Sequence, residues 1–174
     1  MSPSASPNVL PTWTSYVSVD DAEATAHRAA ELGGRILRAP VAMAGRGASA
    51  IVADPQGAVL GLWQPDGFIG AELVNDPGAM CLNQLNTSDP MAAAAFYIGL
   101  FRWEIAQVAK DPAPYWGITN TGRLNGGMMP QPPPAPPSWL VYFTSEDIDG
   151  SDALVVEQGG TVVVPPMEVP GGRI

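Results

Sequence analysis

Histidine, cysteine and clustered carboxylates most often carry catalysis or hold metal ions. This 174-residue chain has a single His27 and a single Cys81. His27 sits in the middle of a helical pattern beside Arg28, where a solvated imidazole is expected. Cys81 would need a base beside it to act as a nucleophile. The only imidazole sits on a different unit's helix, so a buried thiol is expected. One cysteine cannot close an internal disulfide, and the pair cannot form a Cys/His zinc cluster. The acidic groups gather at Asp20, Asp21 and Glu23, and again at Glu146, Asp147 and Asp149. Both clusters open predicted helices, where the dipole and the orphaned amides favour carboxylates, so they read as caps rather than calcium ligands. GxSxG, Walker and dinucleotide motifs are absent from the sequence. Gly45-Arg46-Gly47 and Gly126-Gly127 are too short to stand in for them and lack the strand-to-helix setting.

Composition narrows the classes further. Apolar residues make up 46% and charged residues 14%, enough for a packed core. Eight basic against 17 acidic residues leave a net charge of −9 without a basic stripe, so counterion release cannot drive nucleic-acid binding. An anionic membrane surface is an equally poor partner. The apolar runs are far shorter than the ~20 residues of a membrane span. The N-terminal stretch MSPSASPNVL lacks a basic and an apolar region of secretory type, which makes the cytoplasm the expected location.

An internal repeat supplies the scaffold. Shifted by 126 positions, Pro11 to Met43 lies on Pro137 to Val169 without a gap, matching at Trp13/Trp139, Tyr16/Tyr142, Asp21/Asp147, Gly33/Gly159, Gly34/Gly160 and Pro40/Pro166. In the first copy Trp13 to Val19 reads as a half-buried strand. Asp20 is the expected N-cap, with Glu23 completing a capping box. Ala22, Ala26, Ala29 and Ala30 give the helix a small-residue face, and Gly33-Gly34 stops it. A strand over Arg35 to Ala39 ends at Pro40, and two more bracket the Asp54-Pro55-Gln56-Gly57 turn. The middle stretch follows the same order: a strand from Met80 to Asn86, a helix opened by Asp89-Pro90, then strands over Phe101 to Ala106, Tyr115 to Thr119 and Leu124 to Met129. The expected organisation is a β-α-β-β-β unit over 9–65, a linker over 66–78, a second such unit over 79–130, a proline-rich spacer over 131–137, and an incomplete β-α-β unit over 138–174 lacking its last hairpin. A unit of this kind needs a neighbour to bury its sheet. The first unit is therefore expected to be the second half of a paired domain, and the chain a piece of a longer four-unit protein. If the chain is instead complete, unpaired units or sheet edges are expected to associate as a homo-oligomer.

The stretches GR.A...DPQGA.LGLWQP and N.L.T.DP..A..FY..LF.WE, on paired β-α-β-β-β units, resemble the vicinal oxygen chelate superfamily of glyoxalases, bleomycin-resistance proteins and ring-cleaving dioxygenases. The likeness is greatest to actinobacterial four-unit proteins of glyoxalase-like or hydroxylase name. It implies an α+β fold in which repeated units form curved, cup-like mixed sheets with helices on the outer face. It also implies metal-ligand positions at the start of each first strand and on each last strand. Those fall on Trp13, Leu82 and Trp139, and on Gly61 and Gly127, none of which carries a donor for a divalent ion. No metal and no other cofactor are therefore expected.

What remains is an aromatic, uncharged cup. By alternation Trp13, Ser15, Trp63, Gln84, Asn86, Trp139 and Val141 are expected to share its face and to bind a small aromatic or hydrophobic molecule through flat walls and a few amides. The resemblance implies a glutamate at Gln84 in the nearest relatives, and a neutral amide cannot supply its acid/base role. Binding without turnover is the expected function. A metal-independent glyoxalase-like lyase or hydroxylase, and a truncated product without activity, are the alternatives.

Overall fold

The computed structural model describes residues 12–111, 113–131, 134–169 and 172–174. The expected unit edge at 9–11, Pro11 of the repeat and residues 132–133 of the expected spacer fall outside them. Residues to Glu72 together with Leu82–Tyr142 cluster into one compact unit, and Leu73–Cys81 with Phe143–Ile174 into another.

The larger unit begins with β1 (Tyr16–Ser18), α1 (Ala22–Glu31), β2 (Arg35–Met43), β3 (Gly47–Ala53) and β4 (Val59–Pro65). These strands form a sheet in the order β1-β4-β3-β2, with β1 parallel to β4 and the other pairs antiparallel. Asp21, not Asp20, caps α1: its Oδ1 accepts from the Ala24 amide at 2.9 Å. Ala24 therefore occupies the third helical position, and Glu23 cannot close a capping box there. Ala22, Ala26 and Ala29 are fully buried, so α1 lies close against the sheet. Gly34 is needed for that approach, since a Cβ there would meet the carbonyl oxygens of Ala53 and Ala29. Strand β1 is shorter than expected, while β2 runs on past Pro40, which an edge strand tolerates because its outward amide needs no partner.

The chain continues with β5 (Met80–Thr87), α2 (Pro90–Phe101), β6 (Glu104–Ala109), β7 (Tyr115–Asn120), β8 (Arg123–Pro130) and β9 (Ser138–Phe143), in a sheet ordered β6-β7-β8-β5-β9. Asp89 caps α2 through the Met91 and Ala92 amides at 3.1 and 3.0 Å. The helix runs to Phe101, and β6 begins three residues later than the expected strand. Phe101 is held in the helix by packing: its ring stacks on Tyr97 at 6.3 Å and touches Trp103 at 4.6 Å. Leu60, Leu62, Leu85, Phe96, Ile118 and Met128 belong to one buried cluster on the helix-covered faces.

In the smaller unit α3 (Ile148–Glu157) is capped by Asp147, which accepts from the Gly150 amide at 2.9 Å. The stretch 161–167 is not the second strand that the repeat suggests. A two-residue ribbon, β10 (Glu168–Val169) with β11 (Gly172–Arg173), stands in this region. Arg173 grips Asp149 with two hydrogen bonds at 2.8 and 3.0 Å and meets Glu168 at 3.0 Å. Cys81 is exposed rather than buried. Among the described residues no helix is long and apolar enough to cross a membrane.

Candidate functional site

Each sheet of the larger unit has a helix-covered face and an open face, and the parity of each strand decides which residues reach which. On β5 Leu85 is fully buried in the core, so Gln84 and Asn86 lie on the opposite, open face. On β1 Val17 packs against the core, which places Tyr16 and Ser18 on the open face. Trp63 pairs with Ser18 and shares that face. Its indole N–H donates to the Phe68 carbonyl at 2.9 Å, and the two rings meet edge-on at 6.0 Å.

The remaining expected site residues lie elsewhere. Trp139 donates from Nε1 to the Tyr97 hydroxyl at 3.0 Å and packs edge-on against the Tyr97 and Trp103 rings at 5.4 and 6.3 Å, on the helix side. Val141, two residues on, shares its parity. The Ser15 hydroxyl donates to Asn83 Oδ1 at 2.6 Å, and Trp13 precedes β1 with 74% of its surface exposed. The seven residues therefore do not share one face. Alternation counted from the tryptophans takes the core-facing parity in β9 and the open parity in β5. The caps Asp21, Asp89 and Asp147 also align Trp13 and Trp139 with Cys81 rather than Leu82.

The polar cluster on the open face of the second sheet is built around Gln84, which is 7% exposed. Its Oε1 accepts from the Tyr115 hydroxyl at 3.2 Å, and its Nε2 donates to Asn86 Oδ1 at 2.9 Å. Its amide also hydrogen-bonds the Tyr142 hydroxyl. With both ends engaged the amide is fixed in orientation. The Asn86 N–H groups have no protein acceptor among the described residues. Burial, and then the neighbouring Tyr142, raises the Tyr115 pKa above its ordinary value. Burial does the same to Tyr142, against the hydrogen bond from Gln84. Both phenols stay neutral across the physiological range. Tyr142 was visible in the sequence as the repeat partner of Tyr16. Tyr115 carried no signal beyond being an aromatic at the head of a strand.

Gly127 lies beside Gln84 in the parallel register, as Gly61 lies beside Tyr16. A Cβ at Gly127 would run into the Tyr115 hydroxyl, and one at Gly61 into the Tyr16 ring. Tyrosines therefore occupy the space into which a last-strand ligand would project. Among the described residues no three His, Cys, Asp or Glu side chains converge. With no carboxylate or imidazole beside them, two amides whose oxygens already accept hydrogen bonds and two protonated phenols make a poor donor set for a divalent ion, so the residues present do not fit one.

A second network lies on the helix-covered side. Asp54, 1% exposed, accepts from the amides of Gln56, Gly57 and Ala58 at 3.0, 2.8 and 2.9 Å and from the Tyr97 hydroxyl at 3.0 Å. Tyr97 in turn accepts from Trp139. Burial pushes the Asp54 pKa up, opposed by these four donors, and holds the Tyr97 phenol well above its ordinary range. The network is centred on two buried side chains, Asp54 and Tyr97, and ties the DPQG turn, α2 and β9 together.

No family model matches the chain. It is 31% identical over 172 residues to the protein named glyoxylase CFP32 of Mycobacterium bovis and of Mycobacterium tuberculosis, covering 98% of this chain and 66% of theirs. It is also 31% identical over 163 residues to the anthracycline biosynthesis protein DnrV of Streptomyces peucetius, covering 92% of this chain and 59% of the other. The chain thus spans 59 to 66% of the length of these relatives. Among solved structures, the Mn(II)-bound glyoxalase of Novosphingobium aromaticivorans superposes with a TM-score of 0.60 at 13% identity, covering 87% of this chain and 53% of that one. The 2,2',3-trihydroxybiphenyl 1,2-dioxygenase of Sphingomonas wittichii superposes with a TM-score of 0.56 at 12% identity, covering 87% and 60%.

Proposed function

From its membership of the vicinal oxygen chelate superfamily, to which this chain belongs, we propose that the protein binds a small aromatic or hydrophobic molecule on the open sheet face without using a divalent ion. The Gln84 cluster carries this reading: Tyr115 and Asn86 hold a neutral amide in place beside Gly127, and the Tyr115 hydroxyl fills the ligand position. The Asn86 N–H groups suit a carbonyl oxygen of the guest, and aromatic side chains suit its flat faces. The name of the Streptomyces relatives points to polycyclic aromatic chemistry. The reading places the protein in the cytoplasm, with a small molecule rather than nucleic acid as partner.

The test is titration of the metal-stripped chain with a neutral planar carbonyl compound such as 1,4-naphthoquinone, followed by nuclear magnetic resonance. Saturable shifts at Gln84 and Asn86, unchanged by Ni²⁺ or Zn²⁺, are expected. A stoichiometric ion that tightens binding through these residues would contradict the reading, and absence of any binding would favour a truncated product without activity.

Turnover without a metal, as a lyase or hydroxylase, is the second reading. The relatives named glyoxylase favour it, as do two phenols kept protonated and able to serve as proton donors. Methylglyoxal consumed at equal rates with and without added Ni²⁺ would promote it over simple binding.

A further inference from the structure

The open face of the first sheet carries a basic group that the Gln84 site does not use. Arg38, Ile51, Gly61 and Tyr16 lie in register as one row across β2, β3, β4 and β1. The register of β2 shifts on either side of Arg38. Continued without the first shift from Ile36 opposite Val52, the ladder would set Arg38 opposite Ala50, which is fully buried on the helix side. The bulge turns the arginine onto the open face, a known use of such irregularities. There its Nη2 donates to Ser49 Oγ at 3.1 Å, and Ser49 is only 4% exposed. A guanidinium has five N–H donors, and among the described residues the rest of those on Arg38 meet no protein acceptor and no carboxylate. In a chain with 17 acidic and eight basic residues, a cation held by a neutral hydroxyl rather than an acid is poised for an external anion.

The rest of the row specifies the shape of that anion. Tyr16 lies over Gly61, where a Cβ would strike its ring, and is 48% exposed. Trp63, braced by Phe68, stands on the same face. Three strand spacings separate Tyr16 from Arg38, ~14 Å between Cα atoms. We propose that this face is a second binding site, independent of the Gln84 site, for a planar aromatic carboxylate whose ring lies against Tyr16 and Trp63 and whose carboxylate pairs with Arg38 in the two-pronged geometry that guanidinium favours.

The full chain should be titrated with 2-naphthoate and with neutral 2-naphthylmethanol while backbone amide resonances are recorded, together with sedimentation of the same samples. Naphthoate is expected to shift Ser49, Ile51 and Gly61 saturably. Arg38→Ala should weaken it about 10- to 100-fold, with Arg38→Lys in between, and leave the alcohol unaffected. Arg38 is exposed, so these variants fold. Equal naphthoate affinity in Arg38→Ala, no saturable binding, or shifts confined to Gln84 and Tyr115 would each overturn the proposal. So would shifts that follow self-association of the chain rather than naphthoate concentration, since the face would then belong to a second copy. Because the two sites report through different resonances, failure here reads separately from failure of the Gln84 site.

Discussion

The two faces of the sheets use the same kinds of residue for opposite ends. On the helix-covered side Asp54, Tyr97 and Trp139 form a closed chain of hydrogen bonds with every polar atom matched, centred on the buried Asp54 and Tyr97. On the open side Gln84, Asn86, Tyr115 and Tyr142 also form a chain, but it ends at the Asn86 N–H groups, which lack a protein acceptor among the described residues. A closed buried network fixes the relation of its elements, because breaking one member strands the others at low dielectric. An open, half-buried network leaves some of its hydrogen-bonding capacity for a guest. Aromatic residues alone therefore do not mark the site: Trp139, expected with Trp13 and Trp63 on the cup face, belongs to the fixed side.

Breaking the closed network should produce the largest effect. Asp54→Ala removes the acceptor of three amides and one hydroxyl in a site that water does not reach. A loss of about 3–5 kcal/mol in chemical denaturation is expected, and a loss under 1 kcal/mol would mean that the network is not a keystone. The pH dependence has a definite sign. Since burial raises the folded-state pKa of Asp54, the stability it contributes is full below the ordinary aspartate value and declines as pH rises through the raised one. Asp54→Asn should flatten that decline. Tyr97→Phe is the next step down: it leaves Trp139 Nε1 and one carboxylate oxygen unsatisfied, for about 1–3 kcal/mol, while naphthoquinone binding at the Gln84 cluster persists. Equal loss of binding and stability would erase the distinction between the faces.

Much of this architecture was legible in the sequence because it follows from punctuation. The Asp89-Pro90 start, the Gly33-Gly34 stop and the DPQG turn are local signals with local causes, and each appears where the residues place it. The helix cap at Asp21 and the extension of α2 to Phe101 were not legible. A one-residue choice between two aspartates depends on how α1 seats its alanines on the sheet, and Phe101 stays helical because Tyr97 and Trp103 hold its ring. The candidate site was partly legible for the same reason. Gln84 and Asn86 follow from strand alternation within β5. Carrying that alternation from one repeat to another fails, because a one-residue offset reverses every side chain. Tyr115 reaches Gln84 from another strand, a relation set by the β7-β8 and β5-β8 registers and by the missing side chain at Gly127.

On the open face, stability and binding should separate. Asn86→Ala is expected to leave unfolding within about 0.5 kcal/mol of the parent and to weaken naphthoquinone about tenfold, the value of one net hydrogen bond. Calorimetric titration beside thermal unfolding checks both. A variant that loses stability but keeps affinity would place Asn86 with the structural network instead.

The smallest effect, and the finest probe of the difference, is alkaline titration. Burial raises the pKa values of Tyr115 and Tyr142 above the ordinary tyrosine value of about 10. For a group raised in the folded state, the associated stability is full below the unfolded value and lost as pH rises through the folded one. As Tyr115 ionises it can no longer donate to Gln84, so the amide loses its anchor and the Asn86 end of the cluster loses its set position. Affinity for naphthoquinone should therefore hold up to the ordinary phenol value and fall only beyond it, in step with phenolate absorbance. Tyr115→Phe should remove one late-titrating component from that absorbance and make the remaining affinity insensitive to alkali. If affinity instead falls well below the ordinary value, in both parent and variant, the phenols are not what holds the amide.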